Sequence, residues 1–299
     1  MTFSHSGKYL WVTFYRRSYD KWAQSPSALA IIDTVDDSIV RVMPTGPLPK
    51  MVVASEDDQY VAVTHWGDNT VGLIDIQSED FRDFSYVKHL MRSKATKLDQ
   101  ADGKNRDKNC GRCLRGTVFL EEHSLLIVGE MRGGQLIAFN YKTGKFLGAL
   151  KGIPPTVRHI EKSKDGQWIY ISSNQSGYIS KISTNRLVKS FLSLNGKLGS
   201  IEPDFEVYVG RGARTIALSP SENLLWVAVS NSSKIVGLDA DSLEVLGSIS
   251  TDSFPVGLAV APNGNFVAST SQGKSQKGGG NAVNIFSIQG LLDLGRPFE

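Results

Sequence analysis

One pattern recurs along this 299-residue chain and constrains its fold more than any other feature: an apolar run, a mostly small residue, a polar four-residue turn, then a second apolar run. Five windows align on it without gaps, at residues 51–63, 116–128, 159–171, 215–227 and 257–269, and a sixth copy begins truncated at residues 4–13. Equivalent positions fall at Ser4, Ser55, Leu120, Ser163, Ser219 and Ala261, so the steps between them are 51, 65, 43, 56 and 42 residues. The two shortest steps match the roughly 40 to 45 residues of a four-stranded propeller blade, and the longer ones must carry insertions.

Each window is followed by a turn and a third short apolar run, as in Thr70-Val-Gly-Leu-Ile-Asp75 and Lys234-Ile-Val-Gly-Leu-Asp239. A fourth follows in places, as in Lys145-Phe-Leu-Gly-Ala-Leu150 and Glu244-Val-Leu-Gly-Ser-Ile249. Short β-branched and aromatic runs punctuated by Gly, Asn and Asp read as strands in hairpins. No window shows a sustained helical period, so helical crossovers are missing and a parallel α/β fold is excluded. The expectation is an all-β chain, one β-propeller domain over residues 1–299, with insertions at about 15–27 and 92–109.

Ser163-Lys-Asp-Gly-Gln-Trp-Ile-Tyr-Ile-Ser-Ser-Asn174 and Ser6-Gly-Lys-Tyr-Leu-Trp-Val-Thr13 resemble the "SPDGKYVYVTN" motif of YVTN-type β-propellers. Residues 61–75 continue the likeness into the family's "NTVSVID" strand, and the resemblance covers nearly the whole chain. The resemblance implies surface-layer, periplasmic or outer-membrane proteins, mostly binding or scaffold proteins; the motif specifies a blade and not an activity. Such propellers commonly close with seven blades. Here five full repeats and one incomplete copy are countable, and residues 291–299 offer no convincing fourth strand for the last. Six or seven irregular blades are expected, with an absent N-terminal portion the favoured explanation of the count.

Composition narrows the partners. The chain is 40% apolar and 21% charged with a formal net charge of +3, too little to argue for specific nucleic-acid or membrane-surface binding. No run approaches the roughly 18 to 20 apolar residues of a transmembrane helix. No signal-peptide pattern follows Met1.

Aligned repeats place a basic column just before the first strand of each blade: Lys50, Arg115, Arg158 and Arg214, with Val256 the exception. In a propeller that position faces the mouth of the central channel. Two readings stay open: a ring of residues paired with carboxylates of neighbouring blades, or an anion-binding mouth, since Arg forks suit carboxylate, phosphate and sulfate. Turns of the same face hold His65, Trp66, Arg132, Lys234, Lys274 and Lys277. The opposite turns hold Glu56, Asp57, Asp58, Glu121, Glu122, Asp165 and Glu222, so a nearly neutral chain is expected to be dipolar.

Cys110 and Cys113 are the only cysteines. The βαβ setting of a redox motif is missing, Leu114 stands where a c-type haem site needs His, and no further zinc ligands recur. A local disulfide is expected, implying an oxidising compartment; a dithiol or a pair of metal ligands are the alternatives. His159 and Glu161 share one side of a strand and could act as acid and base in a lactonase-like hydrolase or lyase, though such residues more often bridge blades. No nucleophile elbow, phosphate loop or metalloprotease motif occurs, and no cofactor is expected. The expected function is therefore non-catalytic binding or scaffolding at the periplasm or cell surface. The partner would be a protein or an anionic glycan or cell-wall component, held by the basic face.

Overall fold

A computed structural model describes residues 1–15, 20–95, 103–273 and 280–288. The chain is 52% strand and 5% helix, and its sheets follow the repeat copy by copy. The first sheet is β1 (Thr2–Ser4), β2 (Tyr9–Phe14), β3 (Ser27–Asp33) and β4 (Ser38–Thr45). The second is β5 (Pro49–Ala54), β6 (Tyr60–His65), β7 (Val71–Asp75) and β8 (Ser85–Leu90). The third holds β9 (Leu114–Leu120), β10 (Leu125–Glu130), β11 (Gln135–Asn140) and β12 (Lys145–Lys151). Next come β13 (Val157–Lys162), β14 (Trp168–Ser173) and β15 (Tyr178–Ser183). An excursion of helix α1 (Thr184–Ser193) and strand β16 (Leu198–Ser200) precedes β17 (Phe205–Tyr208), which completes that fourth sheet. The fifth is β18 (Ala213–Leu218), β19 (Leu224–Val229), β20 (Lys234–Asp239) and β21 (Val245–Ser250). The sixth, among the described residues, is β22 (Pro255–Val260), β23 (Phe266–Ser271) and β24 (Ala282–Ser287).

Within every sheet consecutive strands pair antiparallel, for example Pro49↔His65 and Tyr60↔Asp75. That alternation brings the start of each first strand and the turn between the second and third strands to one end of the sheet. The repeat's small residue closes the turn at the other end. Ser55 Oγ accepts the Tyr60 N–H at 2.9 Å and donates to Asp57 at 2.6 Å. Ser163 does the same with Trp168 at 3.0 Å and Asp165 at 2.5 Å, and Ser219 with Leu224 at 3.1 Å and Asn223 at 2.9 Å. A hydroxyl that both accepts a backbone N–H and donates to the acidic or amide residue two to four positions on explains the pattern the sequence repeats.

The chain forms two compact units, Met1–Lys151 with Ser190–Ser200, and Gly152–Lys189 with Ile201–Glu299. In the first, Trp11, Leu29 and Ile31 pack against Val61, Val63 and Ile74, while Ala62, Val71 and Leu73 face Phe119, Leu126 and Phe139. The second sheet is thus buried on both faces, which is why β6 reads as a continuous apolar run instead of an alternating one. In the second unit, Tyr170 and Ile179 pack with Ile216, Leu225 and Leu238, and Trp226 and Ile235 with Val267 and Ile288.

The truncated first copy is a complete four-stranded sheet, because Thr2, Phe3 and Ser4 pair with Trp11, Leu10 and Tyr9. The expected lack of helix fails at α1, where Leu187, Val188 and Phe191 are buried while Arg186 is half-exposed and pairs with Asp204. The step of 56 residues is the length of an ordinary blade plus this excursion. Its β16 adds parallel to β12 (Ala149↔Leu198), covering the outer edge of the third sheet. The expected absence of a strand at 291–299 lies outside the described residues.

A candidate anion-binding face

In the first unit, Lys50 sits at the bulge between the pairs Pro49↔His65 and Met51↔Thr64, and its side chain reaches Trp66, the residue after His65. Lys50 Nζ lies 5.4 Å and Arg115 Cζ 4.9 Å from the centre of the Trp66 ring, so one half-buried indole is flanked by two members of the basic column. The Trp66 indole N–H donates to the Asp107 carbonyl at 3.2 Å, and the Asp107 carboxylate pairs with Lys50 at 3.7 Å. The Thr64 hydroxyl donates to the Arg115 carbonyl at 3.0 Å, fixing β6 to the start of β9.

The two insertions read from the sequence dock on each other. The Arg106 N–H donates to the Trp22 carbonyl at 2.7 Å, Asn105 Nδ2 to Lys21 at 2.8 Å, and Gln24 Nε2 to Lys104 at 2.9 Å. The second insertion ends in the Cys110–Cys113 disulfide, whose Cα atoms are 5.0 Å apart. Asn69 Oδ1 accepts the N–H groups of Arg112 and Cys113 at 2.9 and 3.0 Å. Gly111 takes φ +71°, and a Cβ there would stand 3.0 Å from the Asn69 amide, so glycine is what lets the loop close on Asn69. Arg132, exposed in the β10–β11 turn, donates its backbone N–H to the Arg112 carbonyl at 3.2 Å.

Glu130, at the end of β10, is wholly buried. Its carboxylate receives Arg92 Nη1 at 3.1 Å, Arg112 Nη1 at 3.4 Å and the Gln135 side-chain amide. Arg92 also lies over the Phe146 ring at 5.5 Å. A buried carboxylate is tolerated when charge and hydrogen bonds both meet it, and here it ties together the two ends of the insertion. Repeat alignment passes over Glu130, Arg92, Arg112 and Asp107, since none belongs to the column. The one signal was an acid ending the otherwise apolar run Leu-Leu-Ile-Val-Gly-Glu130.

His65 is placed beside this cluster but fully buried. Its Nε2 accepts the Gly46 N–H at 3.1 Å and faces the Thr45 hydroxyl at 2.7 Å. Nδ1–H then donates to Thr70 Oγ1 at 2.8 Å, whose own O–H donates to Asp68 Oδ1 at 2.9 Å. A Cβ on Gly46 would meet the imidazole at 2.5 Å, so the ring needs glycine there. Burial, and secondly His89, pushes the His65 imidazolium down to about 3, and the neutral ring braces the turn.

In the second unit, half-buried Arg214 lies over the Phe254 ring at 5.1 Å, and burial pulls its pKa down to about 10. Arg158 is half-buried at the start of β13. Beside it, His159 Nδ1 accepts the Ile216 N–H at 3.4 Å and Glu161 accepts the Leu218 N–H at 3.0 Å, so both side chains bridge β13 to β18. Burial, then the Arg158 charge, holds His159 down at about 4; burial, then Glu222, pushes Glu161 up to about 7. Lys234 is exposed at the start of β20, and Lys274 and Lys277 lie outside the described residues. Among the described residues no group of three or more His, Cys, Asp or Glu side chains could hold a metal, and no helix is long and apolar enough to cross a membrane.

No protein-family model matches the chain, and no curated protein matches it either. Solved structures do. The β-propeller domain of Myceliophteria thermophila Cps50 (Swd1) is 14% identical over 96% of this chain and 82% of its own, with a TM-score of 0.67. A protein from Lactobacillus plantarum is 17% identical over 96% and 79%, with a TM-score of 0.69. The hydrazine synthase of Kuenenia stuttgartiensis is 13% identical over 96% and 82%, with a TM-score of 0.62. At these identities the likeness is one of fold, and with the sheets described above it makes the chain a six-bladed β-propeller.

Proposed function

We propose that this is a non-catalytic binding or scaffold protein of the YVTN type, acting as one propeller domain over residues 1–299 in the periplasm or at the cell surface. It engages an anionic partner through Lys50, Arg115, Trp66 and Arg132, with Arg158 and Arg214 serving the equivalent ends of the second unit's sheets. The observation that carries this reading is the recurrence of a column cation laid on an aromatic ring, at Trp66 for Lys50 and Arg115 and at Phe254 for Arg214. A ring orients a cation and leaves its charge in place, and at Lys50 it acts beside the ion pair with Asp107. The disulfide supports export, because such links persist in oxidising compartments. A protein partner and an anionic cell-wall glycan both fit this chemistry.

The test is binding of the immobilised protein to a panel of acidic proteins and acidic glycans, with Lys50→Gln/Arg115→Gln and Arg158→Gln/Arg214→Gln beside the parent. Binding that weakens about tenfold or more in a double variant whose melting temperature holds supports the reading. Unchanged binding with a lowered melting temperature assigns the column a purely structural part.

A further inference from the structure

At the same end of the first unit's sheets a cavity of about 230 Å³ opens between Asn69, Arg92, Ser93, Lys94, Gly111 and Arg112. We propose that it receives one acidic side chain of a protein partner, its carboxylate held between the Arg92 and Arg112 guanidiniums with Lys94 at the rim. This deepens the binding reading above and rests on it.

The charges are set for such a guest. Glu130 supplies one negative charge to two guanidiniums and takes one Nη from each, while each guanidinium has five N–H donors. Among the described residues no other carboxylate pairs with Arg92 or Arg112. Exposed Lys94 adds a third cation. The lining therefore carries a net charge of +2 after Glu130 is counted, concentrated in a small recess. Glu130 and the Phe146 ring hold Arg92, and the Asn69 contact and the disulfide hold the backbone at Arg112. The forks are thereby fixed before a ligand arrives, which lowers the entropic cost of binding.

The lining favours a peptide side chain over a sugar. Planar guanidinium pairs match a carboxylate in two-point contact, and the cavity accommodates a carboxylate with its stem. Among the described residues no aromatic ring lines it to stack on a pyranose face. Recognition of an acidic motif by an Arg cluster is a recurring mode of peptide binding.

The experiment measures anisotropy of a fluorescein-labelled hexaglutamate peptide with the full chain at low salt, with polygalacturonate and heparin as competing probes. Lys94→Glu, Arg92→Gln and Arg112→Gln are compared with Lys50→Gln/Arg115→Gln. The expected result is a Kd roughly tenfold weaker or more for each cavity variant. Because losing an arginine exposes Glu130 to an unbalanced charge, Lys94→Glu, at an exposed position, keeps the test independent of folding. If the cavity variants bind the peptide like the parent while the Lys50/Arg115 variant does not, the cavity proposal falls and the binding face stands. If polygalacturonate or heparin binds and the peptide does not, the partner class proposed here is wrong. If no anionic probe binds at all, both readings fall together.

Discussion

Three buried ionisable side chains give the protein a pH response whose sign follows from their environments. His65 and His159 are held at about 3 and about 4, below the usual 6.5 of an unfolded histidine. Between about pH 6.5 and 4 the unfolded chain binds protons at both positions and the folded chain does not, so stability falls as pH falls through that window. Glu161, held up at about 7, works the other way: below pH 7 the folded state takes the proton first, and acid stabilises it. Thermal melts from pH 7.5 to 4 should therefore show a net acid loss that Glu161→Gln makes steeper and His65→Gln makes shallower. A parallel set of curves for the three proteins would remove these groups from the account. Lys181 supplies a second residue-scale prediction. Buried in β15, it donates to the Ala240 and Asp241 carbonyls at 3.0 and 2.9 Å and lies 4.3 Å from the centre of the Trp168 ring, with Tyr170 and Phe205 beyond. Lys181→Ala removes the ammonium donor from both oxygens, leaving Ala240 only the Tyr170 hydroxyl, and opens a cavity among three rings. A loss of about 3 kcal/mol in denaturant unfolding is expected.

At the scale of elements, the turn serine and the disulfide segment make separate claims. Ser163→Ala removes the acceptor for the Trp168 N–H and should cost about 1 kcal/mol, whereas Ser163→Thr, which keeps the hydroxyl, should cost less; equal losses would assign the position to packing alone. Reducing Cys110–Cys113 opens only a very short loop, so global stability should change modestly. Hydrogen exchange at residues 110–113 should rise nonetheless, because the turn is then held by hydrogen bonds to Asn69, Met131 and Arg132 and by the Arg112–Glu130 pair without a covalent link. How much was legible in the sequence follows from the same elements. Residues 51–63 and 215–227 show their strands because burial on both faces selects long apolar runs and the serine turn repeats between them. Helix α1 was hidden because its three apolar contacts, Leu187, Val188 and Phe191, sit in a ten-residue segment whose mean composition is polar. A signal existed in their i, i+1, i+4 spacing before Asn195-Gly196. Strand β16 has three residues and owes its existence to the edge of β12, a contact that nothing local encodes. The basic column was readable by aligning copies, but Asp107, Glu130 and the Arg106–Trp22 contact were not, since they join insertions that belong to no repeat.

For the whole molecule, the separation of charge matters more than its sum. A formal charge of +3 attracts anions weakly, yet within the first unit the cations Lys50, Arg92, Arg112, Arg115 and Arg132 share one end of the sheets, while Asp37 and Glu122 are exposed in turns at the other. Six-residue strands separate those ends by about 20 Å. That exceeds the Debye length of about 8 Å at physiological ionic strength but not the roughly 30 Å at 0.01 M. The consequence distinguishes a local anion face from a net-charge effect. Asp37→Asn/Glu122→Gln raises the formal charge by the same two units that Lys50→Gln/Arg115→Gln removes. If binding follows the local field, the acidic-end variant should bind the hexaglutamate peptide like the parent at 0.15 M salt and somewhat more tightly at 0.01 M. The basic-end variant should be weaker at both, and its affinity should depend less steeply on salt. Equal and opposite shifts for the two variants at 0.15 M would mean that net charge alone governs binding. The arrangement of cations on Trp66 and around Glu130 would then have no part in recognising a partner.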